Sequence, residues 1–423
     1  MDYKQKYLKY KQKYLNLLKD QKGGQPFLMD LLASQVFSYL FERNQRQLQL
    51  IYTGKQPVMM QPFRHFTLNH QHRLGLLTKG SLTVLLVRRL VGVEQSMSLV
   101  KKRILSRLHV LPPISPLTVA NLFGHGEQVA SVAFHPTQSI LASGSYDRQV
   151  ILWDCTNPKI RFIRNLQPRH TSLVTSVAFH KTLPLLASAS FDKTVKLWDC
   201  TNPLNPTEIS NFTGHTDLVT SVAFHPTLPL LATGSRDNTV KLWDCTNPQN
   251  PTRIVDLTKH TSWVTSVAFH PTLPLLASGS EDRTVKLWDC TNPRNPTQIA
   301  ILTKHTDLVN SLAFHPTLPL LASGSNDRTI KLWDCTNPQN PTQIANLTKH
   351  TSWVTSVAFH QTLPLLASGS NDSTVKIWDC TNPRNPTQIA NLTGHTGLVT
   401  SVAFHPTLPL LASCYHNTIK IWR

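Results

Sequence analysis

Histidine, serine, aspartate and tryptophan recur together along most of this chain, and the spacing between them stays nearly constant. His260, Ser278, Asp282 and Trp288 form one such set. A serine, a histidine and an aspartate are the groups with which many hydrolases build an acyl-transfer nucleophile. Here the set returns in repeat after repeat, each time with its own tryptophan. We therefore expect these residues to serve structure, and we predict that the protein is not an enzyme.

The elements that carry these sets follow a fixed period. Seven histidines lie 45 residues apart, from His125 to His395, and six tryptophans keep the same step from Trp153 to Trp378. The last tryptophan, Trp422, follows 44 residues later. A period of 40 to 45 residues that runs from Gly-His to Trp-Asp is typical of a β-propeller. We predict an all-β fold for residues 111–423, a closed propeller of seven blades, preceded by a basic and mostly helical N-terminal region.

One repeat contains four predicted strands, which is one blade. Residues 260–302 illustrate the pattern: apolar runs are separated by Pro274, by a turn at Asp282 and by a connection containing Pro293 and Pro296. A proline in the connection and beside an edge strand costs little, since no ladder hydrogen bond is lost there. The predicted strands are 265–269, 275–278, 284–288 and 298–302.

The two ends of the repeat region predict how the ring closes. Residues 115–122 (SPLTVANL) align with residues 385–392 (NPTQIANL), so the first of these is an outer strand without its own blade. The chain ends on a third strand, 418–422, of a blade that lacks its outer strand. Pairing the two would close the ring and leave no open sheet edge.

From residue 115 to the C-terminus the pattern closely resembles the WD-repeat (WD40) family. The resemblance implies a buried chain of hydrogen bonds in each blade, in which the indole N–H donates to the hydroxyl, the hydroxyl to one imidazole nitrogen, and the other ring N–H to the carboxylate. Such a network stabilises a fold when every buried polar group in it has a partner. The residues at these positions are His125, Ser143, Asp147, Trp153, His170, Ser188, Asp192, Trp198, His215, Thr233, Asp237, Trp243, His260, Ser278, Asp282, Trp288, His305, Ser323, Asp327, Trp333, His350, Ser368, Asp372 and Trp378.

The seventh repeat departs from this scheme. Its segment 413–418 is one residue short, and His416 falls where the other repeats have aspartate, so we expect an incomplete network there.

A second histidine series, from His135 to His405, ends the first strand of each blade. Because it supplies one histidine per blade, we expect a capped strand end and neither a metal site nor a cofactor.

The positions that differ between repeats indicate where a partner would bind. Before the turn aspartate stand Tyr146, Phe191, Arg236, Glu281, Asn326 and Asn371, and three residues after the corner histidine stand Gln128, Leu173, Leu218, Trp263, Leu308, Trp353 and Leu398. The family resemblance implies that both sets lie on one face around the central channel. Aromatic residues and arginine are enriched at binding hot spots. We expect Tyr146, Phe191, Arg236, Glu281, Trp263 and Trp353 to contact a protein partner; drift between duplicated copies is the alternative.

Cysteine usage and the absence of export signals predict the compartment. Six of the seven cysteines follow Trp-Asp, one per repeat, which places them too far apart for disulfides. The N-terminus lacks the apolar core of a signal peptide, and no run reaches the about 18 apolar residues of a membrane span. We expect free thiols in a reducing compartment, the cytoplasm (that of a host cell if the protein is viral), with the virion as the alternative.

The positive charge is concentrated before the repeats. The chain has a net charge of +19, and residues 1–110 carry 19 Lys and Arg against 5 Asp and Glu. Residues 1–24 form a predicted basic helical tail with a Tyr/Leu heptad stripe; because the stripe is short for an autonomous helix, a disordered tail is the alternative. Its sequence resembles a segment shared by proteins of giant DNA viruses of the Mimivirus type. Such a charge asymmetry favours contact with nucleic acid, an acidic membrane surface or an acidic partner.

Residues 25–110 form a predicted helical region without repeats. Residues 26–52 resemble an F-box, although the usual acidic residue after Pro26 and a later tryptophan are missing. F-box proteins with propellers are substrate receptors of cullin-type ubiquitin ligases, so residues 26–52 would hold the adaptor. Three functions stay open: a protein-interaction scaffold, which we favour; a ubiquitin-ligase substrate receptor; and a tether to nucleic acid or a membrane surface through residues 1–110.

Overall fold

The computed structural model describes residues 118–156 and 160–423, which form seven four-stranded antiparallel sheets. The prediction of an all-β, seven-bladed propeller is confirmed. The predicted tail (1–24), helical region (25–110) and F-box-like segment (26–52) lie outside the described residues, as does the predicted start of the propeller at residue 111.

Each of blades one to six contains four consecutive strands, and the seventh takes its outer strand from the start of the repeat region. Blade one is β2 (Val129–Phe134), β3 (Ile140–Ser145), β4 (Val150–Asp154) and β5 (Arg161–Asn165). Blade two is β6 (Val174–Phe179), β7 (Leu185–Ser190), β8 (Thr194–Asp199) and β9 (Thr207–Thr213). Blade three is β10 (Val219–Phe224), β11 (Leu230–Ser235), β12 (Val240–Asp244) and β13 (Thr252–Leu257). Blade four is β14 (Val264–Phe269), β15 (Leu275–Ser280), β16 (Val285–Asp289) and β17 (Thr297–Leu302).

The remaining blades repeat the same order. Blade five is β18 (Val309–Phe314), β19 (Leu320–Ser325), β20 (Ile330–Asp334) and β21 (Thr342–Leu347). Blade six is β22 (Val354–Phe359), β23 (Leu365–Ser370), β24 (Val375–Asp379) and β25 (Thr387–Leu392). Blade seven is β26 (Val399–Phe404), β27 (Leu411–Tyr415), β28 (Thr418–Trp422) and β1 (Thr118–Phe123).

Burial explains the differences between the four strands of a blade. The second strand is buried along both faces, as in β15, because neighbouring blades cover it on each side. Its sequence is therefore a continuous run of apolar and small residues. The outer strand β17 is largely exposed or half-buried until Leu302, which is why its sequence varies most between repeats. In blade four the predicted strands agree with the observed ones to within two residues at each end.

The ring closes between the first and last strands of the repeat region. β1 pairs antiparallel with β28, so that Ala120 lies opposite Ile421 and Leu122 opposite Ile419. The observed strand starts at Thr118, where the described residues begin, and extends one residue beyond the predicted end, to Phe123.

The hydrophobic core lies between the blades. Each of seven clusters joins the inner and middle strands of one blade to the strands of the next, and Leu122 and Ile421 of blade seven share a cluster with Val129 and Trp153 of blade one. Seven serine hydroxyls also cross the joints between innermost strands: for example, Ser221 accepts from the backbone N–H of Val267 at 3.1 Å. No helix among the described residues is long and apolar enough to cross a membrane.

Candidate functional site

The hydrogen-bond network is assembled at one end of each blade. In blade four, the corner before β14 supplies His260, β15 supplies Ser278, the β15–β16 turn supplies Asp282 and β16 supplies Trp288. The Trp288 indole N–H donates to Ser278 Oγ at 2.9 Å. His260 Nε2 lies 2.7 Å from the same oxygen, and its Nδ1 lies 2.7 Å from Asp282 Oδ2.

The same geometry recurs in blades one to six. The distance from histidine Nδ1 to the aspartate oxygen is 2.7–2.8 Å in all six. In blade three Thr233 takes the place of serine, with its Oγ1 2.7 Å from His215 Nε2 and 2.9 Å from Trp243 Nε1. The hydroxyl-bearing residues have no exposed surface. A nucleophile needs access to a substrate, so this arrangement supports a structural role.

The network aspartates are held in the ionised form. Burial would raise the pKa of Asp282, but hydrogen bonds from His260, from the Thr284 hydroxyl and from the Thr261 backbone N–H outweigh it and hold the pKa below its ordinary value. The pKa of the network aspartates in the other five of these blades is also lowered by a histidine and by backbone N–H groups, and a threonine hydroxyl adds to this in all of them except blade one, where Gln149 stands at that position.

Blade seven lacks the carboxylate. His395 Nε2 contacts Ser413 Oγ at 2.7 Å, and Trp422 donates to the same oxygen at 2.6 Å. The Nδ1 of His395 is buried and has no partner among the described residues. His416, at the aspartate position, is exposed in the shortened turn with a φ of 44°. Burial, followed by the charge of Lys420, lowers the pKa of His395 to about 3.

The second histidine series supports the blade ends and the joints between blades. His315 Nδ1 accepts the backbone N–H groups of Thr317 and Leu318 at 3.2 and 3.0 Å. Its ring lies edge-on to Phe359 of the next blade, with centroids 5.0 Å apart. Equivalent histidine–phenylalanine pairs join all seven blades. The described residues contain no cluster of three or more His, Cys, Asp or Glu placed to hold a metal.

The cysteines are equally inaccessible. All seven are buried and unpaired. Burial, and the charge of the preceding aspartate, raise the pKa of the Cys290 thiol to about 12. The thiol, which is protonated at neutral pH, is therefore a poor nucleophile.

The positions that vary between repeats lie side by side. In each of blades one to six, the residue before the turn aspartate donates its backbone N–H to the residue three after the corner histidine. Arg236 donates to Leu218 and Glu281 donates to Trp263, both at 2.9 Å. We call the surface formed by these paired residues the variable face. Its members are Tyr146, Phe191, Arg236, Glu281, Asn326 and Asn371 with Gln128, Leu173, Leu218, Trp263, Leu308 and Trp353.

An arginine and two aromatic residues meet on the variable face across three blades. The guanidinium carbon of Arg236 lies 4.0 Å from the centroid of the Trp263 ring and 4.8 Å from that of Phe191. Arg236 and Phe191 are half-buried, whereas Trp263 keeps 39% of its surface exposed. The family resemblance implied that these residues share one face, and the structure adds that they form one stack.

The other candidate partner-binding residues do not join this stack. Glu281 accepts a hydrogen bond from the Ser262 hydroxyl at 2.6 Å. Trp353, two blades beyond Trp263, stands apart with 50% of its surface exposed. Tyr146 is half-buried in blade one. The six residues therefore divide into one compact cluster, Phe191, Arg236, Trp263 and the adjacent Glu281, and two separate aromatic side chains.

Two shallow cavities in the described part of the molecule have volumes of about 160 and 200 Å³. They are lined by residues such as Leu273 and Pro274 in one case and Leu408 and Pro409 in the other. They are smaller than the roughly 300–1,000 Å³ typical of small-molecule sites. Neither includes a network residue or a residue of the variable face.

Comparison with known proteins identifies the repeat. The family model described as "WD domain, G-beta repeat" matches seven segments that together span more than half of the chain: residues 116–154, 161–199, 206–244, 251–289, 296–334, 341–379 and 386–423. No curated protein matches the chain.

Proposed function

Because the chain belongs to the WD40 repeat family, whose propellers commonly serve as interaction scaffolds, we propose that it is a non-enzymatic scaffold that binds a protein partner on the variable face. The single observation that carries this proposal is the cluster of Phe191, Arg236 and Trp263 on the variable face, at positions that differ between otherwise similar repeats. Tryptophan, tyrosine and arginine dominate the binding energy of protein interfaces.

The chemistry of the blades supports a binding role over catalysis. In every serine–histidine–aspartate set the serine is buried and accepts a hydrogen bond from the tryptophan of the same blade. The histidine and the aspartate are hydrogen-bonded within the blade as well. Two cavities among the described residues, of about 160 and 200 Å³, are smaller than typical small-molecule sites. By contrast, Trp263 and Trp353 expose large apolar rings, which a protein surface could cover with a gain of roughly 25 cal/mol per Å² of apolar area.

The test removes the two exposed indoles in the full-length protein. We expect Trp263→Ala combined with Trp353→Ala to weaken capture of the partner at least about 30-fold, since hot-spot tryptophans contribute about 2 kcal/mol or more. The readout is crosslinking to partners from lysate with identification by mass spectrometry, followed by titration calorimetry with each candidate.

The control removes apolar side chains that are at least as exposed from another surface. Leu204 lies between β8 and β9, and Ile389 lies on the outer strand β25; they are 69% and 52% exposed. We expect the Leu204→Ala, Ile389→Ala protein to keep its partner. If the double tryptophan variant binds as well as this control, the variable face is not the binding surface.

The two alternatives concern residues outside the described part of the chain. The sequence of residues 26–52 favours a ubiquitin-ligase receptor, and the excess of 19 basic over 5 acidic residues in 1–110 favours a tether. Leu31→Asp with Leu32→Asp should abolish capture of a cullin adaptor if the first alternative holds. Binding to nucleic acid or anionic vesicles that weakens steeply as salt rises would support the second.

A further inference from the structure

The guanidinium of Arg236 is held in place but keeps its hydrogen-bond donors unused. The rings of Phe191 and Trp263 lie within stacking distance of it. Stacking uses the faces of the planar guanidinium and leaves its N–H groups, which point outward in its plane, available. None of the described residues provides an acceptor or a salt-bridge partner within bonding distance of this side chain: the bond from Arg236 to Leu218 comes from the backbone.

This arrangement differs from that of two charged side chains in the turns of the neighbouring blades, Lys193 and Glu281. Lys193, in the turn of blade two, donates its ammonium to the backbone carbonyl of Thr216 at 2.8 Å. The Glu281 carboxylate on the following blade is occupied by the Ser262 hydroxyl and makes no salt bridge with Arg236. Arg236 is therefore a half-buried, preoriented positive charge without a counterion in the described structure.

A group with these properties selects the charge of its ligand. A cationic ligand would bind on the faces of Phe191 and Trp263, but Arg236 already occupies them. The positive charge of Arg236 also repels a second cation. The free N–H pair matches the two oxygens of a carboxylate, which arginine binds in a bidentate manner. Since the aromatic rings already restrict the Arg236 side chain, less conformational entropy is lost when it pairs with a carboxylate.

The surroundings favour a singly charged anion over a phosphate dianion. Arg236 is the one guanidinium in the cluster, the nearby ammonium of Lys193 is engaged, and the negative charge of Glu281 lies on the adjoining blade. A dianion would have a single free cation to balance it and would be repelled by this carboxylate.

We propose that Arg236 anchors an aspartate or glutamate side chain of a protein partner, while an apolar residue beside that acid packs on the exposed part of Trp263. This inference rests on the function proposed above and adds to it the chemical class of the recognised segment. The basic N-terminal third of the chain itself, with 19 Lys and Arg among residues 1–110, has the wrong charge to be the preferred occupant.

The probe that tests this inference is a random dodecapeptide library displayed on phage and selected against the full-length protein. We expect the enriched peptides to share an aspartate or glutamate next to an apolar residue. Replacing that acid by its amide should weaken binding to the wild-type protein at least about ten-fold, as expected for loss of a charge-assisted pair. On the Arg236→Gln protein the same replacement should have no effect.

Two controls make the result specific. Arg328 is exposed in the corresponding turn of blade five, so Arg328→Gln changes the net charge equally and should leave binding unaltered. A peptide with phosphoserine in place of the acid tests the phosphate alternative, and a ten-fold gain in its affinity would overturn the carboxylate assignment. Equal thermal stability of the variants shows that their fold is intact.

The outcomes separate this inference from the function it rests on. Peptides that bind Arg236→Gln as tightly as wild type, but lose affinity on the Trp263→Ala, Trp353→Ala protein, would overturn the carboxylate site and leave the variable face standing. Selected peptides that are affected by neither variant would remove both. Enrichment of peptides without a shared acid would also overturn the inference.

Discussion

At the scale of single residues, the buried hydroxyl in each blade connects a tryptophan with a histidine. Ser278 Oγ accepts from Trp288 at 2.9 Å and lies 2.7 Å from His260 Nε2. Without this oxygen, both the indole N–H and the imidazole nitrogen would be buried without a partner. Each such orphaned group costs about 1–3 kcal/mol, which is more than the hydrogen bond itself contributes.

We therefore expect Ser278→Ala to lower the free energy of unfolding by about 2–4 kcal/mol. Ser278→Thr is the matched control, because Thr233 already performs this role in blade three with equivalent distances; it should cost less than about 0.5 kcal/mol. Urea denaturation followed by tryptophan fluorescence measures both. Equal stability of the two variants would show that the network contributes little.

The residue scale also shows how far the sequence can predict a site. The resemblance to the WD40 family implied which residues meet in one network, and constant spacing extended that set to the other blades, because every blade folds the same interval of chain in the same way. The stack of Arg236 on Phe191 and Trp263 is different in kind. It joins side chains from three blades, and its formation depends on the rotation between blades and on side-chain rotamers, which no periodic pattern contains.

At the scale of elements, the hairpin between β27 and β28 differs from the other six. Its turn is one residue shorter and places the exposed His416 where the others place a carboxylate, so the buried Nδ1 of His395 has no partner among the described residues. The ammonium of the buried Lys420 donates to the backbone carbonyl of Gly394, the residue before His395. This hairpin therefore brings a cation and an orphaned imidazole together without an anion.

Grafting the longer turn should repair this blade. Replacing residues 414–417 (Cys-Tyr-His-Asn) by the segment Gly-Ser-Asn-Asp-Ser of residues 369–373 supplies the missing carboxylate. We expect the free energy of unfolding to rise by about 1–2 kcal/mol as His395 gains its acceptor. The same graft with alanine in place of the aspartate controls for turn length. If both grafts change stability equally, the missing carboxylate is not the cause of any weakness.

Strand predictions depended on a different kind of information. Alternation, prolines and the turn aspartates predicted the strands closely because each blade is bracketed by residues with strong local preferences. The pairing of β1 with β28 is a contact between the two ends of the repeat region, and it could be predicted only because β1 copies the outer strand of the preceding blades. The N-terminal third offers no such internal template.

At the scale of the whole molecule, the same few contacts are repeated around the ring. The seven histidine–phenylalanine pairs form a continuous belt that ends with His405 against Phe134 of blade one. Each of these histidines accepts two backbone N–H groups on Nδ1, as His315 does. A proton on Nδ1 would remove the acceptor, so the belt requires neutral imidazoles.

The belt predicts acid sensitivity of the entire propeller. Burial lowers the pKa of all seven histidines, and that of His315 and His360 to about 4; for His225 the charge of His180 adds to this. In the unfolded chain they titrate near 6.5. Between these values the unfolded chain binds protons that the folded chain does not, so stability falls as pH falls.

We expect the free energy of unfolding to decrease by at least about 3 kcal/mol between pH 7 and pH 4.5. The network aspartates contribute little to this change, because their pKa lies below the window in the folded state and is about 3.9, still below pH 4.5, in the unfolded state. His315→Asn with His360→Asn tests the cause: the asparagine oxygen can accept the same backbone N–H groups but does not titrate. This variant should lose stability at pH 8, where the histidines are neutral in both states. The loss there measures only the missing ring contacts with Phe359 and Phe404. Its stability should then depend less on pH than that of the wild type, and an unchanged slope in urea denaturation across pH 4.5–7 would show that these two histidines are not responsible.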